Sequence, residues 1–154
     1  MKLEPLIEPD RMLVLDEVAH RDELLGKLAD HISHSVTEID PAALEAALIL
    51  REGQGPTSTP EGVAFPHAMY EGAPKTFVTA ALLKRGVSFG NGAHPDSDLV
   101  FVLVGAPDSA WQHVSVLARL ARICHAPGAL DRLRDAGDAS DLYAKLCEED
   151  ARHG

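Results

Sequence analysis

Residues 98–104 read Asp-Leu-Val-Phe-Val-Leu-Val, an apolar run without the alternation of a half-exposed strand. A strand of this kind has to bury both faces, as a central strand of an α/β sheet does. Residues 76–83 (Thr-Phe-Val-Thr-Ala-Ala-Leu-Leu) form a second strand candidate, and Val63-Ala64-Phe65 form a short third one, closed by Pro66-His67. Helical segments intermix with these strands. Leu24, Leu25, Leu28 and Ile32 fall on one face of a helix over 21–34. Asp40-Pro41 is a cap followed by a proline at the first helical position, and that helix should run to about Glu52. After a turn over Gly105–Asp108, Ser109 and Gln112 have the spacing of a capping box. The helix they would open carries Leu117, Leu120 and Cys124 on one stripe and stops before Pro127. Two short helices, near 128–136 and 138–148, should finish the chain. Residues 1–20 read as an extended lead-in with a short apolar run, Met12 to Leu15. The expected class is α/β, a single layered domain over 1–154.

The chain carries a formal net charge of −10, which argues against a nucleic-acid partner, because such a partner requires cations against its phosphates. The same charge suits docking onto a basic protein as well as plain surface solvation. No apolar run approaches the roughly 20 residues of a membrane-spanning helix, so no direct membrane insertion is expected. The first ten residues hold three acidic residues and no apolar signal segment. The two cysteines, Cys124 and Cys147, are not spaced as metal ligands, and a reducing, cytoplasmic setting is expected.

Three stretches could carry chemistry. His67 follows a buried strand and a proline that fixes the local backbone. Its neutral imidazole would be a competent nucleophile toward a phosphoryl group, and the alternative is a surface histidine at a turn. His113 heads the Leu117, Leu120, Cys124 stripe and should point inward at the start of a helix. The helix dipole there favours an anion and disfavours the imidazolium, and the alternative is a core histidine. Arg51, at a helix C-terminal end, could clamp a phosphoryl group, with the Thr57 and Ser58 hydroxyls of the Gly- and Pro-rich loop 53–62 as donors. That loop also reads as an ordinary polar connection. It lacks the Gly-Lys-Ser/Thr of a nucleotide-binding loop, and no Gly-x-Ser-x-Gly elbow occurs in the chain. His31 with His34, and Cys124 with His125, make no recognised metal set, so neither metal nor cofactor is expected.

Taken in order, Arg51-Glu52, Thr57, Gly62-Val63-Ala64-Phe65-Pro66-His67 and the segment His113 to Leu120 resemble the fructose/mannitol/nitrogen-regulatory group of IIA domains of the sugar phosphotransferase system. The sixteen-residue step from Arg51 to His67 matches the spacing of that signature. The resemblance covers about residues 10–149, taken as the core of the domain, and implies a mixed β-sheet flanked by helices. It implies that His67 accepts a phosphoryl group from the carrier protein HPr and passes it to a IIB domain, with His113 supporting and Arg51 near the site. A nitrogen-regulatory relative would instead control a transporter or kinase through its phosphorylation state, and a degenerate scaffold would bind proteins without phosphotransfer. Pro56 and Pro60-Glu61 depart from the usual loop, and the tryptophan often found near Ser88-Phe89 is missing.

Overall fold

In the computed structural model, which describes residues 1–90 and 92–153, the apolar run becomes the middle of the sheet. Five strands form it: β1 (Leu13–Leu15), β2 (Val63–Ala64), β3 (His67–Met69), β4 (Phe77–Val87) and β5 (Ser97–Gly105). β4 and β5 pair antiparallel, β1 adds parallel to β4, and β2 and β3 add in turn parallel to the other side of β5. Leu99 through Val104 are completely buried, as an unalternating run demands.

Successive β5 side chains serve two cores. Val100, Val102 and Val104 pack with Phe77, Ala81 and Leu83 under α1 (Arg21–Ser35) and α2 (Pro41–Gly53). Leu99, Phe101 and Leu103 pack with Val78, Ala80 and Leu82 under α3 (Ala110–His125), α4 (Ala129–Arg134) and α5 (Ala139–Arg152). Each of the larger side chains contributes about 1.5–3 kcal/mol on burial, so both helical layers are held chiefly through β5 and β4. The sheet is mixed and helices flank both faces.

The N-terminal residues are two short 3-10 turns, Glu4–Leu6 and Pro9–Arg11, rather than a simple extended lead-in. Leu3, Leu6, Ile7 and Met12 close the second core. Asp150 pins them: its Oδ2 accepts from the Leu3 and Glu4 amides, and its Oδ1 accepts from buried Arg119.

Asp40 caps α2 as expected, accepting from the Ala43 amide. The expected capping box at Ser109 does not form. A 3-10 turn over Pro107–Ser109 leads directly into α3, and the Ser109 hydroxyl donates to Asp108 instead. β4 runs beyond residue 83 because Lys84 and Arg85 continue the strand into solvent, where their charges meet Asp16 and Glu17. Among the described residues no helix is long and apolar enough to cross a membrane.

Candidate functional site

The site forms where strands β3 and β5 end and helices from opposite faces of the sheet meet, a usual place for a crevice in an α/β fold. Pro66 has no N–H to give to a ladder, so pairing with β5 stops after Ala64 and resumes at His67, opposite Leu103. His67 is therefore the first residue of a new strand rather than a residue beyond one. The Pro66 carbonyl accepts from the Leu103 amide and keeps the segment in line with β5.

Two hydrogen bonds fix the His67 ring. Its Nδ1 lies 2.8 Å from the Phe65 carbonyl oxygen, and its Nε2 lies 3.2 Å from Arg51 Nε. A guanidinium can only donate and a carbonyl can only accept. Nδ1 therefore carries the proton and Nε2 presents its lone pair. Arg51 is steadied in turn, donating from Nη1 to the Gly55 carbonyl at 3.0 Å.

His113 reaches the same place from α3. It is buried, and its ring meets that of His67 edge-on, with centroids 5.1 Å apart and planes at 64°. Burial first, then His67 and Arg51, push its pKa below the ordinary histidine value, so the ring is neutral near pH 7. The positive end of α3 acts in the same sense. His113 Nδ1 is buried with no hydrogen-bond partner among the described residues and faces Gly105, the last residue of β5.

Arg51, His67 and His113 share one open cleft of about 390 Å³. Ala47, Leu50 and Arg51 of α2 and Gln54 at its C-cap supply one wall, and Ala68 and Met69 continue it from β3. Thr57 and Ser58 are not among its lining residues. The Thr57 hydroxyl donates to Glu52 Oε1 at 2.9 Å and accepts from the Phe65 amide at 3.2 Å. The Thr57 amide donates to Glu52 Oε2 at 2.6 Å. Ser58 is buried, with Oγ 3.5 Å from His94 Nδ1. The described residues contain no group of three or more His, Cys, Asp or Glu placed to hold a metal.

Three contributors escaped sequence reasoning. The Phe65 carbonyl sets the His67 tautomer but leaves no side-chain signature. Glu52 is almost wholly buried and ties the end of α2 to Thr57, and its place beside Arg51 in the sequence was the available signal. Gly105 leaves room for the His113 ring, and a glycine directly after a buried strand could have pointed to such a close approach.

Residues 6–149 match the family described as the phosphoenolpyruvate-dependent sugar phosphotransferase system, EIIA 2. The chain belongs to this EIIA type-2 family. A Nitrogen regulatory protein of Bradyrhizobium diazoefficiens is 30% identical to this EIIA chain over 146 residues, 95% of each sequence. The fold is similar to that of Nitrogen Regulatory Protein IIA-Ntr from Neisseria meningitidis, with a TM-score of 0.83 at 20% identity, covering 92% of this chain and 97% of that one. It is also similar to mannitol enzyme IIA of Escherichia coli in its complex with phosphorylated mannitol enzyme IIB, with a TM-score of 0.76 at 19% identity, covering 92% and 97%. The EIIA chain thus shares its fold with a nitrogen regulatory protein and with a mannitol enzyme IIA.

Proposed function

We propose that this chain is a phosphoryl carrier that accepts a phosphoryl group on His67 Nε2 from an HPr-like donor and gives it up to a second protein. The orientation of His67 carries this reading: Nδ1–H is held on the Phe65 carbonyl, so Nε2 is unprotonated and its lone pair accepts from Arg51 Nε. In the forward step that lone pair attacks phosphorus and the Nε2–P bond forms. The donor's bond to phosphorus breaks, and its electron pair returns to the donor. His67 keeps its Nδ1 proton, and the Phe65 carbonyl steadies the positive charge the ring acquires. The Nε2 hydrogen bond to Arg51 ends as the lone pair is used, which frees the guanidinium for the phosphoryl oxygens. Neutral His113 offers the cleft the ring edge opposite its buried Nδ1.

Docking has a surface to use. Leu50, Met69, Trp111 and Val114 are exposed, and apart from Met1 they are the only large hydrophobic side chains so exposed among the described residues. Leu50 and Met69 line the cleft, and Trp111 and Val114 flank His113 in sequence. An apolar centre on a chain of net charge −10 suits a basic partner. For the downstream role, the 30% identity to a Nitrogen regulatory protein over nearly the full length favours the regulatory branch, in which the phosphorylation state governs a bound transporter or kinase. Transfer to a IIB domain is the second reading, supported by the similar fold of the mannitol enzyme. Thr57 acts in either case by holding Glu52 and Phe65, and Ser58 by its buried packing behind the loop.

The test is incubation with Enzyme I, HPr and labelled phosphoenolpyruvate, followed by mass and acid-lability analysis. Wild type should acquire one acid-labile phosphoryl group. His67→Ala should acquire none while unfolding within about 1 kcal/mol of wild type, since a half-exposed side chain carries little of the fold. An unlabelled wild type beside a working HPr overturns the carrier reading in favour of a binding scaffold.

A further inference from the structure

One cleft wall is a stripe of Ala47, Leu50 and Arg51 from α2, continued by Gln54, the residue that caps its C-terminal end in right-handed helical conformation, at positions i, i+3, i+4 and i+7. Ala47 and Leu50 offer only apolar surface, and Arg51 is bonded to His67. Gln54 sits three residues past Arg51, hence about 5–6 Å away on the same helix face. Its backbone amide closes the helix by donating to the Arg51 carbonyl. Its side-chain amide makes no hydrogen bond among the described residues, although the residue lines the cleft and is exposed to solvent.

A phosphoryl group on His67 would bring a charge of about −1.5 to −2 and three acceptor oxygens. Arg51 can supply Nε, Nη2 and the second N–H of Nη1, whose first is held by the Gly55 carbonyl. The apolar walls supply no donors. Resting on the carrier reading above, we infer that Gln54 is a phosphoryl-binding residue, whose side-chain amide donates to a phosphoryl oxygen on His67 and sets how strongly the chain holds its cargo. An uncharged donor suits this task. It holds the oxygens without a second full positive charge, so the phosphoryl group stays transferable.

The probe is the equilibrium between phosphorylated HPr and this chain, read from the ratio of the two labelled proteins for wild type, Gln54→Ala and Gln54→Glu. Gln54→Glu keeps the size of the side chain and replaces the donor with a like charge. Its transfer equilibrium should fall about tenfold, the size expected when a double charge faces a single one at about 6 Å in water. Salt should shrink that deficit. Gln54→Ala should fall in the same direction by less, and the 31P resonance of the phosphohistidine should move in both variants. Wild type labelled normally, with Gln54→Glu within twofold of it and an unmoved 31P resonance, overturns the Gln54 assignment and leaves the carrier reading standing. An unlabelled wild type overturns both.

Discussion

Replacing Gly105 with alanine would put a methyl carbon 2.7 Å from His113 Nδ1 and 2.9 Å from Met69 Sδ. Neither separation is tolerable, so something has to give. Met69 is flexible and partly exposed, and can swing away at small cost. His113 cannot, because it is buried at the start of a sixteen-residue helix and its ring already abuts His67. Overpacking of this kind costs about 1–3 kcal/mol, which urea denaturation should register as a lower midpoint at unchanged slope. Displacing His113 by even about 1 Å should slow phosphoryl transfer on the order of a hundredfold. A double-mutant cycle identifies the cause. In a His113→Ala background the missing ring leaves space for the new methyl, so Gly105→Ala should then cost under about 1 kcal/mol and change the transfer rate little, a coupling within the usual range for touching residues. Equal costs in the two backgrounds would refute the reasoning, because the strain would then lie in the backbone or at Met69.

Two further outcomes follow from the same site. Thr57→Val removes the hydroxyl that donates to Glu52 and accepts from the Phe65 amide, and it leaves a buried carboxylate oxygen short of a donor. It should cost about 1–3 kcal/mol by urea denaturation and slow transfer, with Thr57→Ser restoring most of both; a Thr57→Val protein as stable as wild type would show that the clamp contributes nothing. The lowered pKa of His113 also fixes a sign for pH. Its folded pKa lies below that of the unfolded chain, so below about pH 6.5 the unfolded state binds the extra proton first. Stability should fall over that window until folded His113 titrates as well. His113→Gln, uncharged throughout, should lose less stability than wild type between neutral pH and mildly acidic pH, and an identical loss would place His113 outside the acid response.

The legibility of this molecule in its sequence divides along a physical line. The unbroken run Leu99–Val104 announced a strand buried on both faces because hydrophobic pattern is a local property, and the Asp40-Pro41 start of α2 was legible for the same reason. The meeting of Arg51, His67 and His113 in one cleft was legible only from the three as a set: each alone suits a surface or core position, and their order and spacing singled them out. What could not be read involves partners far apart in sequence or groups without side-chain identity. Asp150 holds residues about 147 positions away. The proton on His67 is held by a backbone carbonyl. The Ser109 capping box had the right residues, yet the 3-10 turn ahead of α3 redirected the hydroxyl. Thr57 and Ser58 offer hydroxyls in a glycine-rich loop, but a hydroxyl bonds to a buried acceptor within reach, for Thr57 the Glu52 carboxylate, and neither residue lines the cleft.

On the carrier reading proposed above, the charge of the site favours release of the phosphoryl group. Unloaded, the cleft holds one full positive charge, on Arg51, beside a His113 kept neutral by burial and a His67 whose lone pair accepts from that same arginine. A phosphoryl group of charge near −2 is therefore opposed by a single cation in an open, water-accessible cleft, where ionic attraction is weak. A second cation or a protonated His113 would deepen the well and slow release. Removing Arg51 would leave Nε2 without its guide and the oxygens without their only charged donor. The same guanidinium occupies the lone pair before transfer and is released when the Nε2–P bond replaces it. The hydrogen bond it gives up at Nε2 is then offset by one it donates to a phosphoryl oxygen. On the proposed reading, this exchange of one hydrogen bond for another favours a phosphoryl group that moves in either direction.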